Sequence, residues 1–166
     1  MEYLIRIVPP KEIGESVCEL RVKWGYEATE PHFTIKTPEG LNKVEKVVYD
    51  FKAFDISLSD VGFFNQSVLF YEVHSKRIRE LHNRLVRTIY PFKDKIISSF
   101  ELDNSIPHLT IMKHKTGFDD LPLQDIARKS KQMMKEEYTF TTKFIRIYSR
   151  HNSKENSHKY HDVYFT

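Results

Sequence analysis

Apolar and polar positions along this chain follow two periods, and the switches between them divide it into elements. Tyr3-Leu4-Ile5-Arg6-Ile7-Val8 is a short, β-branched run closed by Pro9-Pro10, and it reads as a buried strand. Ile13, Val17, Leu20 and Trp24 recur at helical spacing and predict a helix over 11–24. Residues 32–37 read as a strand. Leu41, Val44, Val47, Val48 and Phe51 form a helical stripe over 41–52. Phe54, Ile56 and Leu58 then alternate with Asp55, Ser57 and Ser59, as in a half-buried strand. Gly62 is expected to open a turn, and Val68 to Val73 to form a strand covered on both faces.

The second half repeats this order. Ile78, Leu81, Leu85, Val86 and Ile89 predict a helix over 75–90, and residues 107–113 a strand. Asp119 and Asp120 are placed to cap the next helix, with Pro122 in its first turn. Its buried stripe would be Leu123, Ile126, Ala127, Ser130 and Met133. Residues 138–150 and 160–165 read as strands joined by a polar loop, 151–159. Each half is therefore helix, strand, helix, strand, strand, which points to an internal duplication with repeats near 11–74 and 75–166. The first strand is extra and would fill out one sheet. The predicted class is α+β: a single bilobal domain over 1–166. Each of its two pseudo-symmetric lobes is an antiparallel sheet with outer helices, and the lobes enclose a central groove.

Composition narrows the class without naming a function. At 40% apolar and 13% aromatic, the 166 residues can bury a core, which argues against general disorder. The net charge of +3 is too small for a protein that coats DNA, yet it suits a pocket that receives an anion. Cys18 is the one cysteine, so no internal disulfide is available; it reads as a small core residue, and a reduced cytoplasmic location follows as the default. No apolar run approaches the ~20 residues needed to span a membrane.

The chemistry lies in a repeated pentapeptide. Pro31-His32-Phe33-Thr34-Ile35 recurs as Pro107-His108-Leu109-Thr110-Ile111, with the histidines 76 positions apart. One such match is expected by chance in about one chain in a thousand, and a second at half-chain spacing is far rarer. In a strand, His32 and Thr34 point one way, Phe33 and Ile35 the other, and the same holds for His108 and Thr110 against Leu109 and Ile111. Two lobes related by a pseudo-twofold axis would bring both polar pairs into the groove. An imidazole near its usual pKa of ~6.5 exists in both forms near neutrality, so one histidine can take a proton from a nucleophile while the other gives one to a leaving oxygen. Threonine hydroxyls can donate to phosphoryl oxygens where charge builds up. This scheme calls for no metal and no cofactor.

On those two motifs the chain resembles the two-histidine (2H) phosphoesterase superfamily, particularly its bacterial 2'-5' RNA ligase-like branch. The resemblance runs through essentially the whole order of elements and is specific at His32-Phe33-Thr34-Ile35 and His108-Leu109-Thr110-Ile111. It implies two similar lobes around a groove, with His32 and His108 as acid and base and Thr34 and Thr110 holding phosphate. Members often carry a basic residue shortly after each motif, and here those positions are Lys36 and Lys113. Regular alternation puts Lys36 on the face of His32. Lys113 falls on the opposite face and needs a bulge or twist to join His108.

Aromatic and basic residues outside the motifs are weaker candidates. Phe70 and Tyr148 could stack on a base, or be core aromatics. His151, His158 and His161 flank a polar loop but lack the carboxylate or cysteine that would complete a ligand set. His74, His82 and His114 carry no assigned role. Lys76, Arg77, Arg79, Arg84 and Arg87 read as a solvated helix face. Residues 59–67 and 114–121 are the expected groove loops. The sequence thus predicts a monomeric, metal-independent phosphodiesterase acting on a 2',3'-cyclic phosphate or 2'-5' bond in a nucleotide or RNA end. The alternatives are an enzyme that degrades cyclic or 2'-5' oligonucleotide signals, reverse ligation, and a nucleotide-binding module without catalysis.

Overall fold

The computed structural model describes residues 2–27, 29–36, 41, 43–65, 67–89, 102–113, 123–134, 138–152 and 154–166. Their order is β1 (Glu2–Ile7), α1 (Lys11–Lys23), β2 (Phe33–Lys36), α2 (Val44–Tyr49), β3 (Phe54–Phe64), β4 (Val68–His74) and α3 (Lys76–Ile89). A short 3-10 turn, Leu102–Asn104, leads to β5 (His108–Lys113), α4 (Leu123–Met133), β6 (Tyr138–Thr142), β7 (Phe144–Arg150) and β8 (His158–Tyr164). The strands form two four-stranded antiparallel sheets, ordered β2-β1-β7-β8 and β5-β4-β3-β6. This is the α+β, two-sheet architecture the sequence predicts.

Each sheet draws strands from both halves of the chain. β2 lies at the edge of a sheet completed by β7 and β8, while β5 lies at the edge of one completed by β3 and β4. The helices cross over in the same way: α1 packs on β5, and α3 packs on β2. The faces turned toward these helices carry the core, including Ile5, Ile7, Phe33 and Ile35 in one sheet and Leu69, Tyr71, Leu109 and Ile111 in the other. Burial of such side chains is worth about 25 cal/mol per Å² of apolar surface, so the sheets are fixed through what lies behind the histidine-bearing faces.

Some expectations are corrected. Gly62 opens no turn but lies inside β3, opposite Phe70. A Cβ there would meet Phe70 Cζ at 2.7 Å, so the glycine marks the place where the Phe70 ring lies over β3. For the same reason the expected loop 59–67 is strand as far as Phe64. Residues 138–150 are not one strand. They break at Lys143 into β6 and β7, which belong to different sheets. Met133, the last residue of α4, is exposed, whereas Ile126, Ser130 and Met134 just beyond the helix are buried. The capping residues Asp119, Asp120 and Pro122, as well as His114, lie outside the described residues.

Candidate active site

Each histidine is set by the same local device. His32 Nδ1 lies 2.9 Å from the Glu30 carbonyl oxygen, and His108 Nδ1 lies 2.8 Å from that of Ile106. A carbonyl only accepts, so Nδ1 carries the hydrogen in both rings. Nε2 is then the nitrogen left for other work. The prolines at 31 and 107 suit this geometry, since the residue before a proline is driven to extended backbone. That extension leaves the carbonyl two residues upstream within reach of the ring.

Both strands also carry one extra residue just after the threonine. Thr34 pairs with Arg6 and Lys36 with Ile5, so Ile35 is inserted. Thr110 pairs with Phe70 and Met112 with Leu69, so Ile111 is inserted. Such a bulge reverses the side-chain alternation beyond it. Met112 therefore turns into the core, and exposed Lys113 returns to the face of Phe70 and Thr110. The bulge that Lys113 requires is present. Lys36 pairs with Ile5 through its backbone, and its side chain lies outside the described residues.

Arg21 ties the two motifs together. It is 8% exposed, in α1. Its Nε donates to the Ile111 carbonyl at 2.7 Å and its Nη2 to that of Thr110 at 2.8 Å. Its Nη1 donates to the Thr29 carbonyl and, at 2.9 Å, to the Thr29 hydroxyl, just ahead of Pro31 and His32. One guanidinium thus spans the approach to β2 and the bulge of β5, and β2 and β5 contact each other directly. Sequence reasoning missed it. The available signal is an arginine beside Leu20 in an otherwise apolar helical stripe.

The site is asymmetric in charge. Burial lowers the His32 pKa to about 4. The charges of Arg6, Arg21 and His108 act in the same direction, and the bond to Glu30 opposes them. The influence of His108 puts the two rings within electrostatic reach of each other. Arg6, which pairs with Thr34 across the strands, was also missed; its signal is a lone charge between buried Ile5 and Ile7. At the corresponding place beside Thr110 stands Phe70, 5% exposed, stacked on Phe64 at 4.1 Å. Both rings meet His108 edge-on, at 4.9 Å for Phe64 and 5.4 Å for Phe70. Glu72 pairs with His108 in register. His32 therefore looks onto a cation, and His108 leans on an aromatic wall.

The sequence model of the 2'-5' RNA ligase superfamily matches residues 9–154. The chain belongs to this superfamily of 2H phosphoesterases. Its fold is similar to that of TT0787 from Thermus thermophilus, with a TM-score of 0.68 at 12% identity over 99% of this chain and 97% of that one. Apo LigT of E. coli gives a TM-score of 0.64 at 15% identity, again over 99% and 97%. LigT complexed with 3'-AMP gives 0.59 at 15% identity, over 99% and 97%. No curated protein matches the chain in sequence.

Within this 2H phosphoesterase the remaining candidates take other places. Tyr148 is 6% exposed, and the Arg6 guanidinium covers its ring at 4.5 Å. His82 is buried; its Nδ1 donates to the Ile35 carbonyl at 2.7 Å and its Nε2 accepts from Leu102 N–H at 3.2 Å, so it links α3 to the β2 bulge. His161 lies 3.1 Å from Glu45 and His74 2.7 Å from the Ser59 hydroxyl. Cys18 is half-buried, with its thiol on the Thr29 carbonyl. Among the described residues no three His, Cys, Asp or Glu side chains converge as metal ligands do, and no helix is long and apolar enough to cross a membrane. A cavity of about 700 Å³ opens beside the groove, lined by Pro10, Gly14, Phe140 and Tyr164 among others. It borders the approach to His32 at Glu30 and Pro31.

Proposed function

We propose that this 2H phosphoesterase is a metal-independent hydrolase of 2',3'-cyclic phosphates or 2'-5' phosphodiesters in nucleotides or RNA ends. What supports this most is the matched setting of His32 and His108: both rings anchored through Nδ1, both leaving Nε2 available, and His108 near enough for its charge to bear on His32. LigT, which has the same fold, has been crystallised with 3'-AMP. A nucleotide carrying phosphate on its ribose is the chemistry the proposed groove would take.

In this reading His32 starts neutral, so its Nε2 accepts the proton of the attacking water. The water oxygen forms the new bond to phosphorus, the bond to the leaving ribose oxygen breaks, and His108 Nε2 supplies that oxygen's proton. Thr34 and Thr110 donate to the non-bridging oxygens. Lys113 adds positive charge on the same face, and the Phe64–Phe70 wall offers a base a stacking surface. Each proton transfer is typically worth ~10²–10⁴-fold in rate.

The test is a substrate panel of nucleoside 2',3'-cyclic phosphates, 2'-5' oligoadenylate, cyclic dinucleotides and RNA with a cyclic-phosphate end, run with and without EDTA. Turnover of a cyclic or 2'-5' member that survives EDTA supports the reading. Turnover that vanishes in EDTA and returns with a divalent metal contradicts it.

A further inference from the structure

Three arginines lie on the groove-facing side of the β2-β1-β7-β8 sheet, and two of them are held by carboxylates. Arg146 makes a two-pronged pair with Asp162 at 2.7 and 3.0 Å and a third bond to Glu30 at 3.0 Å. Arg150 reaches Glu2 at 2.7 Å. Arg6, which pairs with Arg146 across the strands, differs. Its Nε is buried without a hydrogen-bond partner among the described residues, and Glu30 acts on it only at longer range. Its guanidinium lies over the face of Tyr148, whose own hydroxyl is also buried without a partner among the described residues.

A buried Nε–H without an acceptor is costly in a folded protein, since a buried donor left unpaired forfeits its full desolvation penalty. An unpaired Nε–H on the residue directly across from Thr34, with Tyr148 against its other side, points to a ligand that supplies acceptor atoms. Residues opposite each other in an antiparallel pair place their Cβ atoms about 4.5–5.5 Å apart, so Arg6, Thr34 and His32 address one spot. The guanidinium fork matches phosphoryl oxygens in a way a lysine does not.

We propose that Arg6, held flat by Tyr148, forms a phosphoryl-binding subsite on the His32 side of the groove and takes two oxygens of the substrate's phosphate. Tyr148 is its positioning residue. The lowered basicity of His32 beside Arg6 fits a charged fork facing that ring. The assignment rests on the phosphodiesterase reading above and adds to it the residue that carries the anion. It also makes the groove directional: phosphate is drawn toward His32 and Arg6, while the apolar part of the substrate meets Phe64 and Phe70.

Inorganic phosphate is the probe, titrated into the full-length protein while the Arg6 Nε–H resonance is followed by NMR. That resonance is expected to shift saturably. Arg6→Gln should weaken phosphate at least about tenfold, Arg6→Lys should restore part of the loss, and Tyr148→Leu should give an intermediate loss. Arg150→Gln, which removes an arginine already paired with Glu2, should leave affinity unchanged. Melting curves on the same samples separate misfolding from lost binding, and Arg6→Lys keeps the charge if Arg6→Gln fails to fold. An unmoved Nε–H resonance, or parental affinity in a folded Arg6→Gln or Arg6→Lys variant, overturns the subsite. A parent that binds phosphate through Arg6 yet turns over no member of the panel would sink the catalytic reading and leave the subsite standing. Normal turnover with parental KM in Arg6→Gln would do the reverse.

Discussion

His32 and His108 are anchored alike, each donating from Nδ1 to the carbonyl two residues upstream, at 2.9 and 2.8 Å. This fixes the tautomer without any second-layer carboxylate. The expectation is that long-range ¹H–¹⁵N spectra at pH 7.5 show neutral His32 with its proton on Nδ1. A spectrum with the proton on Nε2 would remove the proposed base from the groove.

The depressed His32 pKa makes stability depend on pH, and its sign can be worked out. The folded form titrates near 4 and the unfolded imidazole near ~6.5. Between those values the unfolded chain binds more protons, so stability rises with pH across the window and is lost as pH falls from ~6.5 toward ~4. The full difference is on the order of 3 kcal/mol. Denaturant melts of the parent should therefore fall more steeply over this range than those of His32→Asn. Parallel slopes would show that Arg6, Arg21 and burial do not hold His32 neutral.

Arg21 is expected to be structural and catalytic at once, because its fork satisfies strand carbonyls on the β5 side and Thr29 on the β2 side. Arg21→Met leaves those carbonyls unpaired and should cost roughly 3 kcal/mol, the upper range for buried acceptors that lose a charged donor. Urea unfolding measures the loss, and residual turnover under folding conditions should fall as well. A change below ~1 kcal/mol would mean that the two motif strands are held by packing alone.

Gly62→Ala probes the His108 side. The new methyl would sit 2.7 Å from Phe70 Cζ and 2.8 Å from Cε2, so Phe70 must move against Phe64 and His108. Overpacking of this kind typically costs ~1–3 kcal/mol. The predicted outcome is a lower melting temperature together with a raised KM for a base-bearing substrate. An unchanged KM would detach the Phe64–Phe70 wall from substrate binding.

Much of this was legible in the chain and some was not, for identifiable reasons. The alternation His32/Thr34 against Phe33/Ile35 marked the polar face of β2, because side chains in a strand must alternate. Arg6 and Arg21 were hidden because each is a lone arginine in an apolar pattern, and only the pairing of β1 with β2 and the crossing of α1 onto β5 reveal what they touch. Gly62 was misread because glycine marks both turns and close strand contacts, and Phe70 arrives from another strand. Lys113 shows the limit of periodicity: one inserted residue, Ile111, reverses the face of everything after it. The break at Lys143 escaped notice because β-branched and aromatic residues run on through both β6 and β7, and nothing local says that they serve different sheets.

The central claim is that His32 and His108 together carry protons to and from a ribose-linked phosphodiester. Its most direct test is single-turnover hydrolysis of a nucleoside 2',3'-cyclic phosphate by the parent, His32→Ala and His108→Ala, each checked for folding. The account predicts a rate loss of ~10²–10⁴-fold in each variant, with phosphate still bound. Parental rates in both variants would contradict it.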